Sequence, residues 1–248
     1  MTDERTRGLT LLPLSGRLAW WGTSWLRGEV GPDDLLDAVI ADDVTHVVLG
    51  TREPGGLLSA LAELRTRGAS AFGAAFPAEG DLVGLGGPRE FNDAALDVGE
   101  AVVALGCDAG LVPCRVGPTV EWSVLQARRR QVPDVGEADR ELRSTLIEAA
   151  QRLADLDVAR WRPEIADQLM NLRHRPSLVA APGVPPRCVD LAARALQALE
   201  IADLALEDDG AALSVHEIDQ RRGALTPLAR AGRRALVAAC SPDGWPPA

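Results

Sequence analysis

Residues 31–50, GPDDLLDAVIADDVTHVVLG, predict a helix followed directly by a strand. Pro32 suits the first turn of a helix, where its missing N–H costs no hydrogen bond. Asp33 and Asp34 complement the positive end of the helix dipole, and apolar residues then recur at helical spacing. Residues 45–50, THVVLG, form a short apolar run that ends in glycine, which is typical of a buried strand.

The alternation of helix and strand continues beyond this stretch. Residues 55–68 carry leucines at helical spacing and end in glycine, and residues 69–76, ASAFGAAF, predict the next strand. Residues 109–116 and 119–125 flank a Gly-Pro pair and predict a β-hairpin. Pro113 cannot donate to a strand ladder, so we expect an edge or a bulge there. Such short alternation is typical of an α/β layer with some parallel pairing.

From about residue 133 the pattern becomes helical. Residues 135–156 and 187–206 carry leucines at spacings of three and four, which predicts two long helices. A third helix is predicted to begin at Pro163. Ser214 and Glu217 form a capping box that predicts a further helix start, and another helix is predicted for residues 227–239. No internal repeat or low-complexity linker separates this part from the first.

These patterns predict the fold class and the division of the chain. We expect an α+β or α/β fold, with a small mixed sheet and flanking helices in residues 1–132. Residues 133–242 are predicted to be all-helical, and residues 243–248 to form a frayed tail. The 248 residues suffice for one large domain or two small ones.

Composition and charge argue against several classes of protein. Hydrophobic residues make up 46% and charged residues 25%, as in soluble globular proteins. The net charge of -10 repels phosphate backbones and anionic lipids, so we expect neither nucleic-acid nor membrane partners. Residues 128–130, an arginine triplet, leave nucleic-acid binding as a minor alternative. All 26 basic residues are arginine, which indicates a GC-rich bacterial genome.

The expected location is the cytoplasm. The first ten residues carry charges of both signs and no apolar segment, unlike a signal peptide. No apolar run approaches the roughly 18 residues that a membrane-spanning helix needs.

The cysteines and histidines do not predict a metal site or a cofactor. Cys107, Cys114, Cys188 and Cys240 have no C-x-x-C spacing and no nearby histidine that would complete a zinc site. We expect reduced and mostly buried thiols. His46 lies inside a predicted strand, and we expect a core histidine whose hydrogen bonds are satisfied.

Residues 80–100, GDLVGLGGPREFNDAALDVGE, place three clustered glycines before a helix-like run. A dinucleotide-binding fingerprint needs glycine at its first, third and sixth positions. Counted from Gly84, those positions hold Gly84, Gly86 and Arg89, so the fingerprint fails. A Walker loop needs a lysine, and the chain has none.

Two interpretations of this glycine segment remain open. In the structural one, Gly84 and Gly86 make positive-φ turns, and Gly87 caps a helix that begins at Pro88 and continues to Val102. In the functional one, backbone N–H groups at the helix start bind a small anion. The residues of that predicted site are Gly84, Gly86, Gly87, Arg89 and Asn92, with Trp21 nearby.

Trp20, Trp21 and Trp25 lie within residues 18–26, LAWWGTSWL, which fit either a strand or a short helix. Clustered tryptophans serve core packing or an interface. With no complete catalytic or cofactor motif, the chain is predicted to be a non-enzymatic protein that binds a partner chain or itself. A homodimer is the commonest such assembly. The alternative is an enzyme or small-molecule binder with an anionic ligand at residues 84–92.

Overall fold

The computed structural model describes residues 7–52, 55–128, 130–155, 177–207 and 215–245. Within these residues, a six-stranded mixed sheet with helices on both faces is followed by three long helices. The predicted mixed sheet with flanking helices and a helical C-terminal part is therefore confirmed.

The elements are numbered in chain order within the described residues. The helices are α1 (Leu14–Leu26), α2 (Pro32–Ile40), α3 (Leu57–Thr66), α4 (Arg89–Val98), α5 (Val135–Asp155), α6 (Pro186–Glu207) and α7 (Val215–Ala239), and a 3-10 helix follows at Pro242–Gly244. The strands are β1 (Thr45–Leu49), β2 (Gly55–Gly56), β3 (Ala71–Ala75), β4 (Ala101–Leu105), β5 (Ala109–Val116) and β6 (Thr119–Leu125). The helix predicted at Pro163 lies outside the described residues.

The sheet has the strand order β2-β1-β6-β5-β4-β3. The β1–β6 pair is parallel and the other pairs are antiparallel. Strands β5 and β6 form the predicted hairpin, in which Val116 pairs with Thr119. Pro113 pairs with Trp122 of β6, but the β4–β5 ladder already ends at Leu111. Pro113 therefore occupies a local edge within a central strand, where its missing N–H costs no ladder bond.

The two faces of the sheet are covered differently. On the inner face, α1, α2 and α3 share one continuous core with α5, α6 and α7, and Trp20, Phe72 and Trp122 are fully buried in it. On the outer face, Phe91 and Ala95 of α4 pack on a small cluster from β4 and β5. The continuous inner core joins residues on both sides of the predicted boundary at 132, and the division into two domains stays a prediction.

The tryptophan segment is helical. Residues 18–26 belong to α1, which is buried on nearly all sides, so Trp20 and Trp21 both lie in the interior. A helix inside a core needs no polar stripe, which is why its sequence does not distinguish it from a strand.

The helix predicted from Pro88 to Val102 is shorter than expected. It ends at Val98 because Gly99 adopts a left-handed conformation, with φ of 84°. Val102 instead lies in β4, a strand that the sequence pattern did not reveal. Since β4 is nearly buried on both faces, its residues are uniformly apolar and show no alternation.

The helix predicted after residue 214 and the one predicted for residues 227–239 form a single helix, α7, which spans Pro227. Proline has no N–H, so the carbonyl of Gly223 loses its usual helical donor. Arg152 Nη1 donates to that carbonyl at 3.5 Å.

The structure describes residues 243–245 of the predicted frayed tail, and the tail stays a prediction. Asp243 lies 3.6 Å from the guanidinium of the buried Arg130, and Trp245 Nε1 donates to the carbonyl of Ala239 at 3.0 Å. A buried charge needs a counterion, and a helix end needs donors for its last carbonyls. Both needs hold residues 243–245 in place.

Candidate functional site

The glycine loop before α4 is a structural turn in part. Gly84 and Gly87 have positive φ angles of 85° and 82°, whereas Gly86 is not among the positive-φ glycines. Helix α4 starts at Arg89, one residue later than predicted, so Pro88 rather than Gly87 is its cap residue. The Gly87 N–H donates to Asn92 Oδ1 at 3.0 Å, so Asn92 holds the turn closed.

Two other residues of the predicted anion site lie apart from the loop's concave side. The side chain of Arg89 is 92% exposed and pairs with Asp93 at 3.1 Å, one helical turn along α4. Trp21 is buried in α1. Neither residue lines the cavity that the loop borders, and Gly87 and Asn92 do not line it either.

Gly84 and Gly86 do share a cavity of about 610 Å³. Its charged lining residues are Asp81, Arg130, Asp134, Glu137 and Arg234. The structure therefore brings two of the predicted glycines together with charged groups that the sequence did not single out.

Arg130 is the buried centre of this region, with a side chain that is 0% exposed. Nη1 donates to the carbonyl of Ala74 in β3 and, at 3.2 Å, to that of Gly84. Nη2 donates to Ser241 Oγ at 2.7 Å, and Asp243 supplies the counterion at 3.6 Å. Arg130 therefore ties β3, the glycine loop and the end of α7 together.

The charges in this cavity do not favour an anion. Asp81, Asp134 and Glu137 contribute three carboxylates, while the guanidinium of Arg130 is already occupied. Asp81 is 6% exposed, and Arg233 of α7 lies 3.7 Å from its Oδ2. An anionic ligand at the glycine loop stays a prediction, and the cavity's charge balance counts against it.

A second polar cluster lies on the inner face, where β1 and β6 begin. Trp122 Nε1 donates to His46 Nδ1 at 3.1 Å. Because an indole nitrogen can only donate, Nδ1 must be unprotonated, and Nε2 carries the proton toward Asp43 Oδ2 at 3.1 Å. Both ring nitrogens are thus occupied, which confirms the prediction of a satisfied core histidine.

Asp43 is the anion of this cluster. It pairs with Arg115 of β5 and with His46, and Arg17 of α1 lies 4.0 Å away. Hydrogen bonds from Arg115 and His46 lower the pKa of Asp43, against the raising effect of its partial burial. Because both ring nitrogens of His46 are engaged, this histidine has no free nitrogen to serve as a general base.

Glu100, just before β4, caps a helix. Its Oε2 accepts a hydrogen bond of 2.8 Å from the backbone N–H of Ser15 in the first turn of α1. Pro13, the N-cap residue of α1, has no side-chain acceptor for the N–H groups at the start of this helix. Burial raises the pKa of Glu100, while the hydrogen bond from Ser15 opposes that shift.

Among the residues that the structure describes, none covers the outer face of the sheet over β5, β6 and β1. Directly paired residues share a face, so the register defines this surface. It comprises Thr45, Val47, Leu49, Cys114, Val116, Thr119, Glu121 and Ser123, which we call the open patch. None of these eight residues is buried, whereas His46, Val48, Val120 and Trp122 on the opposite side are.

The open patch carries apolar groups and a single charge. Leu49 is 40% exposed and Val116 is 51% exposed, and both rank among the large hydrophobic side chains exposed in the described residues. Val44, beside the edge of the patch, is 72% exposed. Glu121 is the one charged residue among the eight patch residues. Helix α4 covers only the neighbouring β4–β5 part of this face.

Two family comparisons cover most of the chain. Residues 15–137 match the N-terminal domain of Rv1486c-like proteins, and residues 136–237 match their C-terminal domain. The chain belongs to the Rv1486c-like proteins. The two matches meet at the start of α5, where the helical part begins.

Two relatives of this Rv1486c-like chain are "Uncharacterized protein Rv1486c" of Mycobacterium tuberculosis (strain ATCC 25618 / H37Rv) and "Uncharacterized protein MT1533" of Mycobacterium tuberculosis (strain CDC 1551 / Oshkosh). Each is 25% identical over 280 residues, covering 92% of this chain and 97% of the relative. No solved structure matches the chain.

Within the described residues of this Rv1486c-like protein, no group of three or more histidine, cysteine or acidic side chains is arranged to hold a metal ion. None of the helices described is both long and apolar enough to pass through a membrane.

The sequence of this Rv1486c-like protein did not predict the burial of Arg130, and it indicated only part of the open patch. Arg130 ends an arginine triplet, and nothing local distinguishes the buried arginine from the exposed Arg128. The patch had a signal, because the alternation in residues 119–125 places Glu121 and Ser123 on one face. Its contribution from β1 could not be inferred, since the β1–β6 pairing is not local in sequence.

Proposed function

We propose that this protein is non-enzymatic and self-associates, with the open patch packing against the same patch of a second copy. The observation that carries the proposal is a sheet face left half uncovered, with one charge among eight residues. The whole chain, by contrast, is 25% charged residues and carries a net charge of -10.

Charge is the main support for this assignment. Interface centres are depleted of charged residues because each buried charge must lose its hydration. The patch offers valine, leucine, threonine, serine and cysteine side chains, which lose little on leaving water. Two sheets pack face to face at about 10 Å, with side chains interdigitating, so a three-stranded patch suits packing on a second sheet.

A second copy suits this patch better than an oppositely charged partner would. A twofold axis places the same residues on both sides, which is the commonest oligomeric arrangement. A face with few charges meets an identical face without needing a complementary charge. The carboxylate of Glu121 is then the main residue opposing association, because two copies bring two carboxylates together.

The first test measures the molar mass of the purified protein by sedimentation equilibrium. We expect a dimer for the wild type and a monomer for the double variant Leu49→Glu/Val116→Glu, because four carboxylates would then enter the interface. Ile147→Glu is the matched control: Ile147 is 60% exposed on α5, away from the patch, and its variant should remain dimeric. A wild-type monomer, or a double variant that stays dimeric, would overturn the proposal.

Two further measurements use the patch itself. Glu121→Gln removes the opposing carboxylate, so it should tighten the dimer several-fold in the same experiment. Cys114 is exposed on the patch, and its alkylation should slow as protein concentration rises through the dimer dissociation constant. Alkylation at a rate independent of concentration would place the interface elsewhere.

A further inference from the structure

A second cavity lies at the end of the sheet opposite the Asp43 network. It measures about 620 Å³, within the range of small-molecule pockets. It is formed where β3 and β5 begin and where β4 and β6 end. The polar groups around it come from Arg27, Ser70, Cys107, Asp108, Arg128 and Asp243.

Two arginines of this cavity, Arg27 and Arg128, have no acidic partner among the described residues. Within the described residues, no carboxylate lies at ion-pair distance from Arg27 or Arg128. The guanidinium of Arg27 stacks over the ring of Trp245 at 5.8 Å, which leaves its N–H groups available at the rim. Arg128 is positioned by its backbone, since its N–H donates to the Gly87 carbonyl at 2.9 Å.

The electrostatic balance of this cavity is positive, unlike that of the chain as a whole. Of its two carboxylates, Asp243 is taken by the buried Arg130 at 3.6 Å, so Asp108 alone opposes Arg27 and Arg128. Arg67 adds a third positive charge close enough to act on the Cys107 thiol in the cavity wall. Concentrating arginines at one site of an acidic chain favours an anion there.

The rest of the wall is apolar and includes Ala71, Val103, Ala104, Leu105 and Ala127. A bare inorganic ion would leave most of this space unfilled. The wall therefore suits a ligand with an apolar body, while the guanidinium forks suit planar or tetrahedral oxyanions.

We infer that this cavity is a binding site for a small organic oxyanion, with Arg27 and Arg128 holding the charged group. The apolar body of the ligand packs on the alanine and valine side chains. The same chemistry admits a phosphate monoester or a carboxylate. The site is separate from the open patch and does not depend on self-association.

Isothermal titration calorimetry with three probes that share a phenyl ring tests this site. Phenyl phosphate and benzoate should bind with a stoichiometry of one, and benzyl alcohol should bind much more weakly because it lacks the charge. The anion that binds more tightly shows whether the site prefers a phosphate monoester or a carboxylate. Absence of saturable binding by both anions would overturn the proposal.

The double variant Arg27→Gln/Arg128→Gln should bind the tighter of the two anions at least about tenfold more weakly, since each lost charged hydrogen bond costs roughly that factor. Arg187→Gln/Arg222→Gln is the matched control, because both residues are exposed and the change in net charge is identical. The control should bind like the wild type. Equal weakening of both double variants would show non-specific attraction and contradict the site.

Cys107 gives a readout that does not rely on the arginine variants folding. In the Cys114→Ser background, Cys107 is the remaining cysteine that is not buried, and it lines the cavity. Saturating phenyl phosphate should slow its alkylation by iodoacetamide several-fold. An unchanged rate at saturation would show that the anion binds elsewhere and would overturn the assignment.

Discussion

Gly73 lies in β3 at a position with no room for a side chain, since a Cβ there would stand 1.9 Å from Arg130 Nη2. The guanidinium can bond the Ala74 carbonyl only because residue 73 is glycine. Its φ angle is not positive, so space rather than backbone freedom requires this glycine.

Gly73→Ala should therefore lower the free energy of unfolding by about 3 kcal/mol, because the methyl group displaces a buried, hydrogen-bonded charge. Gly223→Ala is the matched control: residue 223 lies inside α7 with nothing near its would-be Cβ. Alanine should stabilise that helix by up to about 1 kcal/mol. Urea unfolding followed by circular dichroism measures both, and equal effects of the two changes would contradict the steric argument.

At the residue scale, sequence patterns predicted that His46 is buried with its hydrogen bonds satisfied, but they did not predict the burial of Arg130. A histidine within an apolar strand has few environments open to it, and burial with satisfied hydrogen bonds is the common one. Arginine is ordinarily a surface residue, so its burial depends on partners far along the chain, Ala74 and Ser241. The spacing of the residues around Arg130 does not indicate such distant partners.

At the scale of elements, β3 is an edge strand whose outward backbone groups are capped individually. The Phe72 N–H donates to Thr23 Oγ1 at 3.0 Å, and that hydroxyl donates to the Phe72 carbonyl at 3.2 Å. The Ala74 N–H donates to the Cys240 carbonyl at 2.9 Å. Edge groups satisfied in this way are closed to pairing with another chain.

Thr23→Val keeps the shape of the side chain but removes the hydroxyl from this buried edge. It should cost about 2 kcal/mol or more of unfolding free energy, because the Phe72 N–H and carbonyl both lose their partner. Thr23→Ser retains the hydroxyl and should cost clearly less. Thermal unfolding by calorimetry compares the variants, and a valine variant as stable as the serine one would refute the capping role.

Elements with a clear period could be predicted from sequence, and those without one could not. The amphipathic α5 and the β5–β6 hairpin repeat their apolar residues regularly, and both are found near their predicted bounds. Strand β4 and helix α1 are buried on both sides, so their sequences are apolar without a period. Tertiary packing decides the secondary structure of such segments.

At the scale of the whole molecule, the Asp43 network should make stability depend on pH. Burial lowers the pKa of His46 from its ordinary value of 6.5, although the bond to Asp43 opposes the shift. As pH falls, His46 is therefore protonated first in the unfolded chain. Its contribution to the stability of the fold is complete above about pH 6.5 and is lost as pH falls below that value. Protonation of Nδ1 would also break the bond from Trp122.

Urea unfolding of the wild type and of His46→Gln between pH 7 and pH 5 isolates this effect. Glutamine does not titrate, so the wild type should lose more stability than the variant over this range. The comparison also cancels Glu100, whose raised pKa makes its contribution decline as pH rises above its ordinary 4.5. Parallel stability curves for the two proteins would show that His46 does not titrate in this range.

The fold class followed from the alternating first part and the helical second part, whereas the way the two parts join did not. The shared core and the bonds of Arg130 depend on contacts between residues far apart in the chain. The open patch likewise follows from a register that no local pattern specifies.

The bond between Ala74 and Cys240 also bears on how the protein is made. The ribosome synthesises a chain from its N-terminus, so β3 emerges long before the residue whose carbonyl completes its edge. Until translation reaches Cys240, the nascent chain presents an unpaired N–H on an otherwise apolar strand. The edge of β3 is therefore among the last features of this fold to be completed.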